Sequence, residues 1–315
     1  MIVDVHGHVT HPDLFKRFPM PPALADIEGM LEKKAEVGIE LTIVGSPVGF
    51  GTMVPVPGLD NYAQPIDQLK SFHEWLADTV AAHSGRLAAY AYTNPFGGDE
   101  LLGETARTVR EGGFVGLIVN SSVQGRYLDS EEADDFFDMA AELDVPVFLH
   151  PGAEPVGSDS VRDFRLVEQV SRFFDVAVSL ATLALSGRLE QYPELRLIAA
   201  TAGGGISLVA NRIDAAQRSR PPAEGTVRAE LSGDPSDYLR NVYVDTANQN
   251  PVSQRANLEL MGPERMLFGT DSPPLSTPLP AAIAMVDDLP ISGEARQDVF
   301  EGNARRLFAL DGDVD

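Results

Sequence analysis

Three histidines and one aspartate carry most of this chain's capacity for chemistry. His6 and His8 flank Gly7 at the end of an apolar run that begins at Ile2. In a strand, residues i and i+2 point to the same face, so both imidazoles can enter one site and share an ion. Gly7 then keeps the opposite face free of bulk. His150 closes the run PVFLHPG, and Asp271 closes MLFGTDSP. Three imidazole nitrogens and a carboxylate suit one divalent metal ion, zinc first, with manganese, iron and cobalt also accommodated. The plainer readings are a surface histidine pair, a buried hydrogen-bonded His150 and an Asx-type turn at Asp271. Each of these can hold singly; what argues against all of them together is placement.

That placement comes from the elements around them. Eight short apolar, β-branched runs punctuate the chain, at 2–5, 41–44, 87–92, 114–119, 145–149, 195–200, 242–244 and 266–268. Many are near-continuously apolar, as parallel strands covered on both faces must be. Helical spacing fills the gaps: Ile27, Met30, Leu31 and Lys34; Leu69, Phe72, Leu76 and Val80; then 132–143, 164–189 and 280–288. A closing helix runs from Ser292, an N-cap residue, to Phe308. Strands alternating with helices predict a (β/α)8 TIM barrel, one α/β domain over residues 1–315, in preference to an open sheet. His6, His8, His150 and Asp271 then all fall at C-terminal strand ends, where barrel enzymes keep their active sites.

Composition narrows the partners. The 315 residues hold 24 Lys plus Arg against 47 Asp plus Glu, a net charge of −23. So acidic a surface repels nucleic acid and anionic membranes. No run approaches a membrane span, the opening residues lack a signal-peptide pattern, and a cytoplasmic enzyme is expected. Cysteine is absent, which excludes disulfides, thiolate metal sites and cysteine nucleophiles. His11, just past the first pair, is a candidate substrate contact or a solvated loop residue. His73 and His83 read as helix-packing residues. Gly203-Gly204-Gly205 reads as a tight strand-to-helix turn, since it lacks the lysine and spacing of a phosphate loop. Asn120 either faces the site or caps a loop. Specificity is expected in loops 50–60 and 152–165, where Arg162 and Arg165 are candidate carboxylate anchors, and 221–235 reads as a polar surface excursion.

Taken together, VDVHGH, AAHSGRLAAYAYTNP, GLIVNSSVQGRYLDS, PVFLHPG, LSGRLEQYPELRLI, NVYVDTAN, PERMLFGTDSP and FEGNARRLF form an ordered set along nearly the whole chain. In this set the chain resembles the amidohydrolase-related branch that contains aminocarboxymuconate-semialdehyde and γ-resorcylate decarboxylases. The resemblance implies a barrel with one divalent metal on His6, His8, His150 and Asp271, proton handling by Asp271, and a homodimer. It departs at one place: Thr201 stands where the family carries a histidine at the end of strand six, in a His-x-Gly-Gly pattern. Threonine can orient a group but is a poor general base.

Three functions follow as expectations. The first is non-oxidative decarboxylation of a small aromatic or unsaturated carboxylate. The second is hydrolysis or hydration of an amide, lactone, imide or C=C bond through metal-bound water. The third is a non-catalytic metal-holding binder, with Thr201 as the mark of lost chemistry.

Overall fold

The computed structural model describes residues 1–18, 20–53, 56, 58–161, 164–219, 230–274 and 278–310. Eight parallel strands form one sheet in chain order: β1 (Ile2–His8), β2 (Ile39–Gly45), β3 (Leu87–Tyr92), β4 (Gly116–Asn120), β5 (Val147–His150), β6 (Leu197–Ala199), β7 (Tyr243–Asp245) and β8 (Met266–Leu267). The first and last strands meet: Val5 N donates to Phe268 O at 2.9 Å, and Asp271 N donates to His6 O at 2.8 Å. That contact closes the ring, and the TIM barrel expected from the alternation is what forms.

A helix follows each strand and covers the barrel: α1 (Ile27–Ala35), α2 (Ile66–Ala82), α3 (Gly98–Gly112), α4 (Asp134–Leu143), α5 (Arg172–Leu185), α6 (Ala210–Ser219), α7 (Pro251–Met261) and α8 (Leu279–Asp287). Side chains cap the N-termini of several of them. Asp26 accepts from Gly29 N to start α1, and Asn250 accepts from Val252 N with Pro251 opening α7. Ser292 accepts from Ala295 N, as an N-cap should. The segment expected as helical over 164–189 is helical from Phe164 through Leu185, with a wide turn at Val167–Ser171, and stops short of Gly187, whose φ is +82°. None of the helices among the described residues is long and apolar enough to cross a membrane.

Inside the barrel, a layer of large side chains makes the floor of the mouth. Tyr90 stacks on Phe148 with centroids 5.1 Å apart, and its hydroxyl donates to Val5 O. Gly7 faces outward, against the helix layer, and a Cβ there would come within 2.7 Å of Thr42 Cγ2. Only glycine lets β1 lie this close to β2 while both neighbouring histidines turn inward.

His73 on α2 packs inside, as expected for a helix-packing residue. It is 2 % exposed, and its Nε2 accepts from Tyr92 N at 3.1 Å. Burial lowers its pKa to about 4. The unfolded chain therefore binds a proton that the native one refuses between about pH 6.5 and 4, and stability must fall as pH drops through that window. We expect His73→Gln, which keeps an acceptor for Tyr92 N, to remove about 2 kcal/mol of the stability loss between pH 7 and pH 5. Urea unfolding of both proteins at the two pH values measures it; identical losses would assign the pH dependence elsewhere.

Candidate metal centre

The barrel brings the four candidate ligands together. His6 and His8 project from β1, His150 from the end of β5, and Asp271 from just beyond β8, and their ligand atoms all lie within 4.8 Å of one another. His6 Nε2 and His8 Nε2 are 3.1 Å apart. Asp271 Oδ1 sits 3.4 Å from His6 Nε2 and 3.1 Å from His8 Nε2. All three histidines are buried, and Asp271 is mostly so.

Each imidazole is turned by a partner behind it. His6 Nδ1 is 2.5 Å from Asp245 Oδ2, His8 Nδ1 is 3.0 Å from Gly45 O, and His150 Nδ1 is 2.8 Å from Pro151 O. Carboxylate and carbonyl oxygens accept, so every Nδ1 carries the proton and every Nε2 directs a lone pair to the centre. Three lone pairs and a carboxylate oxygen repel unless a cation lies between them. This outward orientation is how metal-binding histidines are held, and the donor set fits one divalent ion.

The electrostatics agree. Burial opposes charge on Asp271, but the imidazoles of His6, His8 and His150 overcome it and hold the carboxyl at about 2. His150 is held well below its usual value by burial and by His8 and His6. Both are therefore in the protonation state a ligand needs. Burial disfavours charge on His6, yet Asp271 and Asp245 raise its pKa, so this corner of the site calls for positive charge.

Behind the ligands lies a second layer that sequence reasoning did not single out. Asp245, the last residue of β7, orients His6 through Oδ2 and accepts from Ala202 N and Ala247 N through Oδ1. Its only sequence signal is a lone acidic residue ending a strand, in VYVDTAN. Asp4 accepts from His6 N and Thr270 N with Oδ1, and from Thr270 Oγ1 and Lys34 Nζ with Oδ2, the last two at 2.6 Å. The Asp4–Lys34 ion pair is fully buried.

The remaining candidates divide. Asn120 ends β4 in register with His150, so it shares the inward face. His11 stands apart from the cluster of four: its Nδ1 accepts from Asp13 N as the cap of a short helix, and its ring packs on Phe50 and Trp75. Thr201 donates to Ala200 O and is half-buried. Its φ of +52° opens a left-handed run through Ala202, Gly203, Gly204 and Gly205. A Cβ on Gly204 would lie 2.4 Å from Phe173 O, so the triple glycine is a tight turn against α5, as the sequence suggests. Arg165 is exposed, and Arg162 lies outside the described residues.

The amidohydrolase family profile matches residues 3–310. The chain belongs to the amidohydrolase family. Within it, a γ-resorcylate decarboxylase from Polaromonas sp. (strain JS666) is 31% identical over 252 residues, 76% of this chain and 75% of that protein. The 2-amino-3-carboxymuconate-6-semialdehyde decarboxylase of Dictyostelium discoideum is 24% identical over 270 residues, 84% of this chain and 74% of that one. A dihydroxybenzoic acid decarboxylase from Polaromonas sp. JS666, solved with bound manganese and the inhibitor 2-nitroresorcinol, shares the fold with a TM-score of 0.77. Its identity is 23%, covering 99% of this chain and 98% of that one.

Proposed function

We propose that this amidohydrolase is a metal-dependent carboxy-lyase, a non-oxidative decarboxylase of a small aromatic or unsaturated carboxylate. The observation that carries the reading is the convergence of His6 Nε2, His8 Nε2, His150 and Asp271 in a family whose relatives include decarboxylases. These four residues hold the ion, with zinc the first expectation from the donor set and manganese, iron and cobalt its competitors. When bound, the ion supplies a Lewis acid that polarises the substrate's carboxylate or a neighbouring hydroxyl.

The chain's own residues do the rest. Asp271, a carboxylate at rest, shuttles the proton that replaces CO2: it takes one from water or from a substrate hydroxyl and passes it to the carbon bearing the carboxylate, the C–C bond breaks, and its electron pair restores the unsaturated system as CO2 leaves. Asn120 lies beside His150 as a substrate contact. His11 contributes to the substrate wall through its ring, packed on Phe50 and Trp75. Thr201 is a neutral substrate contact rather than a base, because its hydroxyl already serves Ala200 O. That engagement favours decarboxylation over hydrolysis or hydration, which would lean on a second base beside the metal.

CO2 release from hydroxybenzoates, anthranilates and muconate-type acids, screened beside amides, lactones and imides, tests the reading. Product from the second group alone would make the enzyme a hydrolase. Silence on both panels with a metal-loaded site would make it a binder.

We further propose that the chain works as a homodimer. Leu166, Val170, Phe174 and Val178 form an exposed stripe at four-residue spacing along the α5 segment. Within 169–182 only Arg172 and Asp175 are ionisable; Arg172 donates to Met53 O, and Asp175 is buried. Two copies that each carry −23 can approach on such an uncharged face without like-charge repulsion at the contact. Phe174→Asp is expected to convert a dimer to a monomer in sedimentation velocity. A monomeric parent, or a dimer that survives the substitution, would remove the stripe from self-association and leave a different protein as its occupant.

A further inference from the structure

Near the metal ligands, two buried polar side chains lack partners among the described residues. Asn120 is fully buried, yet neither Oδ1 nor Nδ2 has a hydrogen-bond partner. Tyr92, the last residue of β3, is 2 % exposed and its hydroxyl is equally unpartnered. Leaving such groups unpaired is costly, which is why native interiors rarely do so without a reason.

Their placement supplies the reason. Tyr92 pairs in register with Ile118, two positions before Asn120, and Asn120 pairs with His150. All three therefore lie on one face of adjacent strands. Burial holds the Tyr92 hydroxyl protonated, and nearby Tyr62 and Asp60 push its pKa further up. Tyr62 borders the same space from the loop above. A Cβ built on Gly152 would lie 2.8 Å from Tyr62 Oη, 3.0 Å from Ser122 O and 3.7 Å from Asn120 Nδ2. Gly152, two residues past His150, thus lets Tyr62 come close to the Asn120 side, where a larger residue would collide with Tyr62 Oη and Ser122 O.

We propose that Asn120 and Tyr92 form a polar subsite beside His150 that binds an uncharged hydrogen-bonding substituent of the substrate, a ring hydroxyl in the simplest case. A hydroxyl donates to Asn120 Oδ1 and accepts from Asn120 Nδ2 or Tyr92 Oη, which matches what the two side chains offer. Neither residue is charged, so the pair itself offers a neutral group its hydrogen bonds and gives a second carboxylate no counter-charge. Discrimination of this kind is strong, because a ligand lacking the group leaves the protein's buried partners unpaired. The inference rests on the proposal that the mouth takes a small carboxylate.

The test uses metal-loaded enzyme and calorimetric titration with benzoate and with 2-, 3- and 4-hydroxybenzoate. At least one hydroxybenzoate is expected to bind more tightly than benzoate. Tyr92→Phe and Asn120→Leu should each weaken that ligand by about 10- to 100-fold while benzoate affinity stays within about twofold. Metal content should remain that of the parent, and the melting temperature of the ligand-free variants should hold or rise, since an unpaired buried group has gone. Equal weakening of benzoate and its hydroxylated forms, a lower melting temperature, or no preference for any hydroxybenzoate in the parent would overturn the subsite. Preference that collapses in the variants without CO2 release from any substrate would uphold the subsite and sink the lyase reading. Decarboxylation with unchanged preference in the variants would do the reverse.

Discussion

His150→Ala is expected to release the ion and to lower kcat/KM by about a thousandfold or more, since a Lewis acid supplies several kcal/mol to a transition state and about 4 kcal/mol is that factor. No other histidine can take its place. Of the six in the chain, His73 is engaged by Tyr92 N, His83 bridges Thr79 O and Glu28, and His11 caps its own helix. His6 and His8 are already in the set. Burial and its imidazole neighbours keep His150 neutral, so its Nε2 lone pair is available to a cation at neutral pH. Elemental analysis of purified parent and variant, read beside CO2 release, measures both effects. A variant that keeps a full equivalent of tightly bound ion would take His150 out of the ligand set.

The second large effect is expected at a residue that need not touch the ion. Asp245→Asn should weaken metal affinity by about 10- to 100-fold, the usual cost of losing a carboxylate behind a ligating histidine. Asparagine can keep Oδ1 for the amides of Ala202 and Ala247. It then offers an NH2 group where Oδ2 stood 2.5 Å from His6 Nδ1, donor against donor. The imidazole must turn or change tautomer, and its Nε2 no longer aims at the centre. Activity should fall when metal is limiting and return in large part when metal is in excess, which a ligand substitution would not allow. Chelator competition gives the affinity, and an unchanged value would reduce Asp245 to a support of the β6–β7 turn.

The histories of particular residues show what a sequence can and cannot reveal here. All eight strands are legible because their cores are short apolar runs, most of them rich in valine, isoleucine and leucine, with helical spacing between them. Their ends differ from the apolar runs in both directions: the strands at Leu197–Ala199 and Met266–Leu267 stop one residue short, and others run on. The apolar run stops at Val5, and β1 continues through the paired histidines that the sequence places at its end, with Gly7 paired to Val44 and His8 to Gly45. The fourth and fifth likewise begin later and run on to Asn120 and His150. An apolar criterion halts at the first polar residue, whereas hydrogen bonding to neighbouring strands carries the pairing one or two residues further. Those extra residues are the ones at the mouth. The four candidate ligands were legible since each closes an apolar run. Asp245 and Tyr92 were not, because their importance comes from what lies across the barrel. Nor was the left-handed run from Thr201, which is set by the close approach of α5 to Gly204.

Asp4 and Thr270 hydrogen-bond across a separation of 266 residues, and the candidate ligands sit directly above that seam. During synthesis the two histidines of β1 emerge long before Asp271, and the centre cannot be completed until the last strand has docked on the first. An ion arriving early meets an incomplete set of donors. Once in place it cross-links the two ends of the barrel, a loop far longer than most disulfides enclose, and it does so in a chain with no cysteine to make one. Its hold on the native state grows with the free ion concentration. Occupancy of the centre would therefore be read as much in resistance to unfolding and proteolysis as in turnover, and the supply of metal would govern how much of this protein persists as well as how fast it works.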